Sequence, residues 1–321
     1  MGDFTLMATN NFKAFALDPN ANVMSQADWE ALPTLLSGFT SGKASSAQVN
    51  KALRQSLFIA SALAEFVSTT LNTDILDDGD INGFMSKLTS ALQLNSPGRL
   101  INIQTITTSG TYTKTPGAKH ALIRAVGGGA GGGGVPATSS TTQSTAKGGE
   151  SGAYIEAYVD LSSVTSLSAI IGAGGVGAIA GSNSGTSGGT TSLGSLISCP
   201  GGEPGIGGNT SAASFVSSDR ASNKAPMSTG RVLVSTPTSL PNLGRVANPS
   251  APTVGGTGGS NPLGIGGAAG GAVPGTPGTP TNPTNATGYG SGGGGGASVG
   301  GNAAMGGANG APGVIIIMEY A

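Results

Sequence analysis

Residues 127–134 are glycine at every position except Ala130. A run of that kind has no side chains to bury, so whatever orders it must act through backbone N–H and C=O groups. The run is not isolated. Of the 58 glycines, 52 lie beyond residue 100, with further blocks at 255–259 and 292–296, while Leu, Ile, Val and Phe together fill only about one position in six there. A conventional side-chain core would be thin. Collagen is excluded because a strict one-in-three period is absent, yet Gly255, Gly258, Gly264, Gly267 and Gly270 are spaced by multiples of three. Such spacing suits left-handed three-residue-per-turn helices, which have no internal hydrogen bonds and must pair with neighbouring segments or water. The default for this composition is a disordered Gly/Ser linker. Against it stand β-type runs at 121–126, 153–161, 167–171, 193–198 and 314–320 interleaved with the glycine blocks, which a linker does not need.

The first hundred residues are a different polymer, with six glycines and just over half of the charged residues. Residues 45–69 read as a helix because Val49, Leu53, Leu57, Ala60, Leu63 and Val67 recur at three- and four-residue steps without Gly or Pro, and Phe58, Ile59 and Phe66 add a second apolar face. Residues 80–94 read as a second helix behind the acidic Asp77-Asp78-Gly79-Asp80 turn, with Pro97-Gly98 ending it. A helix apolar on two sides wants neighbours. Packing of the two helices on each other and a homotrimeric bundle both satisfy it, and periodicity does not choose between them. The expectation is an α+β, multi-part chain: a helical adaptor over 1–99 for attachment and trimerisation, then a β-rich, glycine-rich domain over 100–321 with packed polyglycine II helices.

Charged residues are 9% of the chain and the net charge is -1, which excludes the basic footprint of a nucleic-acid binder. One Cys (Cys199) excludes a disulfide framework and one His (His120) excludes most metal sites and catalytic relays. No metal, no cofactor and no enzymatic activity is expected. The opening residues lack a signal-peptide core, and the longest apolar stretches fall short of the ~20 residues that cross a bilayer. Several motifs are decoys. Residues 172–177 match GxGxxG, but no acidic residue follows at the required distance and the next stretch is Gly/Ser-rich, so no helix is expected there. Residues 185–189 match GxSxG with the only His 67 residues upstream. Asp74, Asp77, Asp78 and Asp80 depart from calcium-loop spacing, and helix capping accounts for them. His120 reads as a packing or solvent-facing residue and Cys199 as a small buried thiol at a strand end.

Two sets of residues resemble tail-fibre proteins of tailed bacteriophages that end in a glycine-rich receptor-binding domain. One is the head-like stretch Asn11-Phe12-Lys13-Ala14-Phe15-Ala16, Trp29, Leu32-Pro33, Gly38-Phe39 and 47–55. The other runs in order through 110–119, 148–152, 172–175, 288–292 and 310–316. Residues 203–254 and 272–287 match nothing in that pattern, and these long Pro/Thr-rich inserts leave loop placement open. The resemblance implies a virion protein, made in the host cytoplasm, homotrimeric along the fibre and joined to other tail or baseplate proteins by its N-terminal region. It further implies that the glycine-rich tip holds loops that bind a host outer-membrane protein or lipopolysaccharide. The alternative is a purely structural fibre or baseplate component whose adhesin is another chain; an ice-binding polyglycine protein would show longer, more regular repeats.

A glycine lattice offers no side chains, so specificity must come from non-glycine loops on a rigid support. The expected loops are 135–147, 203–254 and 272–289. The middle one is basic and partly apolar, and the candidate receptor-binding residues are Phe215, Arg220, Lys224, Met227, Arg231 and Arg245, with Tyr289 from the third. Arg suits bidentate contact with carboxylates or phosphates. Solvation of a long insert, with 232–234 as an ordinary strand, is the plain alternative.

Overall fold

The computed structural model describes residues 8–39, 44–96, 98–213, 215–216, 222–241, 244–246, 248–275 and 280–321, with only the backbone at 215–216 and 245–246. The chain divides into two compact units, Met1–Pro97 and Gly98–Ala321.

The first unit holds α1 (Gln26–Glu30), α2 (Thr34–Ser37), α3 (Ser46–Leu71) and α4 (Ile81–Leu94). Ser45 starts α3 with a reciprocal capping box. Its Oγ accepts from Gln48 N at 3.3 Å, and its own N–H donates to Gln48 Oε1 at 3.0 Å. Asn72, left-handed at φ 47°, ends it. Asp80 caps α4 by accepting from Gly83 N at 2.9 Å, the capping role read from the acidic turn. Ala64 and Val67 of α3 bury against Ile75 and Ala91, with Phe12, Phe84 and Leu88 packed around them. Asn95 Nδ2 donates to Thr70 Oγ1 at 3.0 Å, so α4 ends beside the end of α3. The earlier half of α3 leaves Val49, Leu53 and Leu57 about two-fifths exposed.

The second unit is β-rich. Its strands are β1 (Leu100–Ile106), β2 (Gly110–Thr113), β3 (His120–Val126), β4 (Gln143–Thr145), β5 (Tyr154–Asp160), β6 (Ser166–Ile170), β7 (Thr191–Leu193), β8 (Ile197–Cys199), β9 (Phe215–Val216) and β10 (Met227–Ser228). Then come β11 (Arg231–Thr236), β12 (Arg245–Val246), β13 (Thr253–Val254), β14 (Gly264–Ile265), β15 (Gly271–Ala272), β16 (Thr287–Gly288), β17 (Ala297–Val299) and β18 (Val314–Tyr320). One antiparallel sheet runs β1-β18-β3-β5-β11 and a second runs β10-β8-β7-β6-β2. Alternate residues of both, including Tyr112, Ile123, Ile155, Leu193, Ile197, Ile315 and Ile317, form one buried core. The run expected as a single strand at 193–198 is instead the turn of a hairpin. Gly194 takes φ 48° there, and β7 and β8 pair Leu193 with Ile197.

Six strands do not stop where this sandwich ends. β3, β6 and β8 lead into 127–135, 172–181 and 200–208, while 147–153, 183–189 and 305–313 lead into β5, β7 and β18. The amides of 127–135 donate in rotation. Gly127, Ala130 and Gly133 donate to Ala153, Glu150 and Lys147; Gly128, Gly131 and Gly134 to Gly189, Thr186 and Asn183; Gly129, Gly132 and Val135 to Ala311, Ala308 and Met305, all at 2.8–3.0 Å. The carbonyls follow the same three-residue period. Those of Gly128, Gly131 and Gly134 accept from Gly202, Gly205 and Gly208; those of Gly129, Gly132 and Val135 from Gly175, Ala178 and Gly181; those of Ala130 and Gly133 from Gly293 and Gly296. One run therefore bonds to six neighbours. Side chains would prevent it, since a Cβ on Gly128, Gly131 or Gly132 would fall within 3.0 Å of the backbone of Ala173, Val176 or Gly294. The GxGxxG stretch lies inside this array and precedes no helix: Gly175 N donates to Gly129 O at 2.8 Å.

Candidate functional site

The second unit has two poles. At one, the chain enters at Gly98, and Ala321 N donates to Arg99 O at 3.0 Å. The far pole begins where the glycine runs end, past Val135, Gly181 and Gly208. There β4 pairs with β17, Gln143 against Val299 through Thr145 against Ala297. Thr138 N donates to Asn302 O and Gln143 N to Ser211 O, at 3.0 and 2.9 Å. A small sheet, β15-β13-β12-β9, is laid on this pair. Ala272 packs on Ala297 and Val299, and Thr145 Oγ1 donates to Val254 O at 3.0 Å. Val254 and Val273 are exposed on the outside. Three buried polar atoms at β4 and β13, Gln143 Oε1, Ser144 Oγ and Thr253 Oγ1, have no hydrogen-bond partner among the described residues.

Of the seven residues singled out in the sequence, the six that are described do not form one patch. Backbone pairing sets Phe215 opposite Val246, and Arg245 between Val216 and Val254, in the far-pole sheet. Arg220 lies outside the described residues. Lys224 is ion-paired to Glu203, and its N–H donates to Thr238 Oγ1 at 3.3 Å. Met227 lies on β10 at the margin of one sheet, and Arg231 opposite Tyr158 on the margin of the other. Tyr289 packs on Val126, Tyr154 and Val314, where sandwich meets glycine runs. The insert 203–254 is therefore spread along the unit: its start is a glycine run, its middle edges the sandwich, and its end reaches the far pole. Sequence reasoning missed 299–305, while 206–211 fell within the expected loop 203–254 without being singled out. Their Asn residues among glycines, Asn209 and Asn302, were the available turn signal.

A family model described as a glycine-rich domain matches residues 105–320, two thirds of the chain. The chain belongs to the glycine-rich domain family. No curated protein matches it. The match begins in β1 and ends on the last residue of β18, so the glycine-rich domain comprises sandwich, glycine runs and inserts together.

Inside the glycine-rich domain the titrating groups are structural in placement. Glu150, fully buried in the run 147–153, faces Lys147 Nζ at 3.6 Å and accepts from Ser222 Oγ. Ser222 Oγ also meets Thr238 Oγ1 at 2.6 Å, which ties the middle of the insert 203–254 to the array. At the entering pole, burial would raise the Glu319 pKa. Hydrogen bonds from Thr115 Oγ1 (2.5 Å), Tyr112 Oη (2.6 Å), Thr115 N (3.0 Å) and Gln104 Nε2 (3.1 Å) outweigh it, and the carboxyl sits below its usual range. Burial first, then Glu319, pushes Tyr112 far above an ordinary tyrosine. Burial alone pushes the Cys199 thiol up to about 12, so it is an inert core group. His120 stacks on Tyr158 with ring centroids 5.3 Å apart.

Proposed function

We propose that this chain is a bacteriophage tail-fibre adhesin, in which a glycine-rich domain presents its far pole to a receptor on the bacterial surface and the helical unit joins the fibre to the virion. The observation that carries the reading is the division of labour between the poles. Turns and the end of the insert 203–254 collect at one, the chain enters at the other, and a backbone-bonded array lies between them. Loops fixed on a rigid support are where binding residues concentrate. The array is proposed to be polyglycine II helices: in a three-fold helix successive amides point 120° apart, which is the rotation of partners along 127–135. The receptor is an outer-membrane protein or lipopolysaccharide, met by the far-pole sheet that carries Phe215 and Arg245 and by the turns around Asn209 and Asn302.

Two exchanges test it. Replacing 209–213, 244–254 and 300–304 with the equivalents of a related fibre should move host range, while replacing 222–239 should not. Host range that ignores the first exchange, in a particle that still assembles and adsorbs, would place recognition on another chain and leave this one a structural fibre or baseplate component.

A further inference from the structure

A groove of about 460 Å³ lies on the first unit, between α3 and the stretch from Leu17 to Gln26. Lys51 and Arg54 line it, and Lys51 is only 4% exposed. Among the described residues neither cation is ion-paired or hydrogen-bonded through its side chain. A buried ammonium without a counter-charge is costly, and buried charges are ordinarily paired. The rim is apolar, with Leu17, Phe58 and Ile59 each more than half exposed. Leu17 follows Ala16, whose φ of 55° is a left-handed setting that alanine adopts only under constraint. Two amides complete the lining. Gln26 Nε2 donates to Glu30 Oε1 at 2.7 Å, which leaves its own carbonyl oxygen to accept, and the Gln55 side chain has no hydrogen bond among the described residues.

We propose that this groove takes a carboxylate-bearing segment of another tail protein, which rests on the reading that the helical unit joins the fibre to the virion. A carboxylate between Lys51 and Arg54 supplies the missing counter-charge, and Arg is suited to hold it bidentately. An apolar side chain beside that carboxylate covers Phe58 and Ile59. The glutamines meet backbone N–H and C=O groups, which a bare anion does not offer. Charge narrows the partner further. Residues 1–97 hold nine acidic side chains against five basic, so a nucleic acid or an anionic membrane is repelled over most of this unit. A protein segment with a single carboxylate needs only the groove.

The experiment compares purified phage particles carrying the unaltered chain, Lys51→Met or Arg54→Gln, and reads copies of the chain per particle by quantitative mass spectrometry. Each substitution should lower that number about tenfold or more, as truncating one member of a buried charge pair does at other interfaces. Thermal melting of the full chain separates this loss from a folding defect. Lys51→Met keeps the apolar stem and removes an unpaired charge, so its melting temperature should hold or rise. Variant copy numbers equal to those of the unaltered chain overturn the groove and leave the attachment reading standing on another face of the unit. Particles that lack even the unaltered chain overturn both. A lowered melting temperature in Lys51→Met would give Lys51 a partner within its own chain, which also overturns the proposal. So would a fall in the sedimented mass of the purified variants, which would make the occupant a second copy.

Discussion

The sandwich and the glycine array are made by the same strands, and the change between them takes one residue. β3 ends at Val126, with its side chain buried, and continues at Gly127, whose neighbour Pro200 O lies where a side chain would go. Up to that point layers are separated by side chains and held by apolar burial. Beyond it backbones touch, and the amides that paired with two sheet neighbours turn in rotation toward three. Stability therefore depends on opposite chemical errors in the two regions. The sandwich fails when atoms are removed, and the array fails when atoms are added.

The largest expected effect follows from that asymmetry. Gly132→Ala, whose methyl would meet the Gly294 carbonyl, should cost about 3 kcal/mol or more in urea unfolding, because the nearest obstacles are all backbone atoms of Gly293 and Gly294 and cannot swing aside as a side chain would. Gly110→Ala in β2, where a Cβ meets nothing within 4 Å, should change stability by less than about 0.5 kcal/mol. Equal costs for the two would erase the distinction. In the sandwich the reverse error, Ile123→Ala, should cost about 3 kcal/mol through the cavity it leaves.

A smaller effect is read in pH. The Glu319 pKa is lowered on folding, so its contribution is complete above the ordinary value of 4.5 and is lost as pH falls through the folded value. The Tyr112 pKa is raised, so its contribution is complete below 10.0 and is lost as pH rises toward the folded value. Thermal melting should therefore show a plateau between those limits. Glu319→Gln should flatten the acid side of the curve at an overall cost of about 1–3 kcal/mol, since Tyr112, Thr115 and Gln104 lose a charged acceptor. An acid limb unchanged in Glu319→Gln would assign it to other carboxylates. The smallest change is a gain. Thr253→Val removes a buried hydroxyl that has no partner among the described residues and should stabilise the far pole by about 1 kcal/mol; a loss of that size would show that the hydroxyl is satisfied by a group outside them.

The sequence made some of these elements legible and hid others for physical reasons. Helical periodicity marked α3 and α4 to within two residues, because their apolar stripes and caps are local signals. β3, β5 and β18 were visible as apolar runs because each is buried on at least one face. β1 and β2 were missed since their residues, such as Asn102, Gln104 and Thr111, are polar edge positions with no clear alternation. The hairpin at Gly194 was read through as strand, because Leu193, Leu196 and Ile197 are apolar on both sides of the turn. The three-residue spacing of Gly255, Gly258, Gly267 and Gly270 was legible, and these glycines do lie along one another: Gly255 N donates to Gly270 O and Gly258 N to Gly267 O. Which runs lie together was not legible, since glycines differ in nothing but position. For the same reason the candidate residues scattered. Nothing local in 203–254 distinguishes Arg231, which edges the sandwich, from Arg245, which reaches the far pole.

Amide hydrogen exchange, followed residue by residue in the full chain, tests the backbone array most directly. Each amide from Gly127 to Val135 has a carbonyl partner at 2.8–3.0 Å and is buried. These amides should be protected to the same order as those of β3, after correction for the fast intrinsic exchange of glycine, because they open only when the domain unfolds. Exchange across 128–134 at the rate of unstructured glycine, with β3 still protected, would contradict the account.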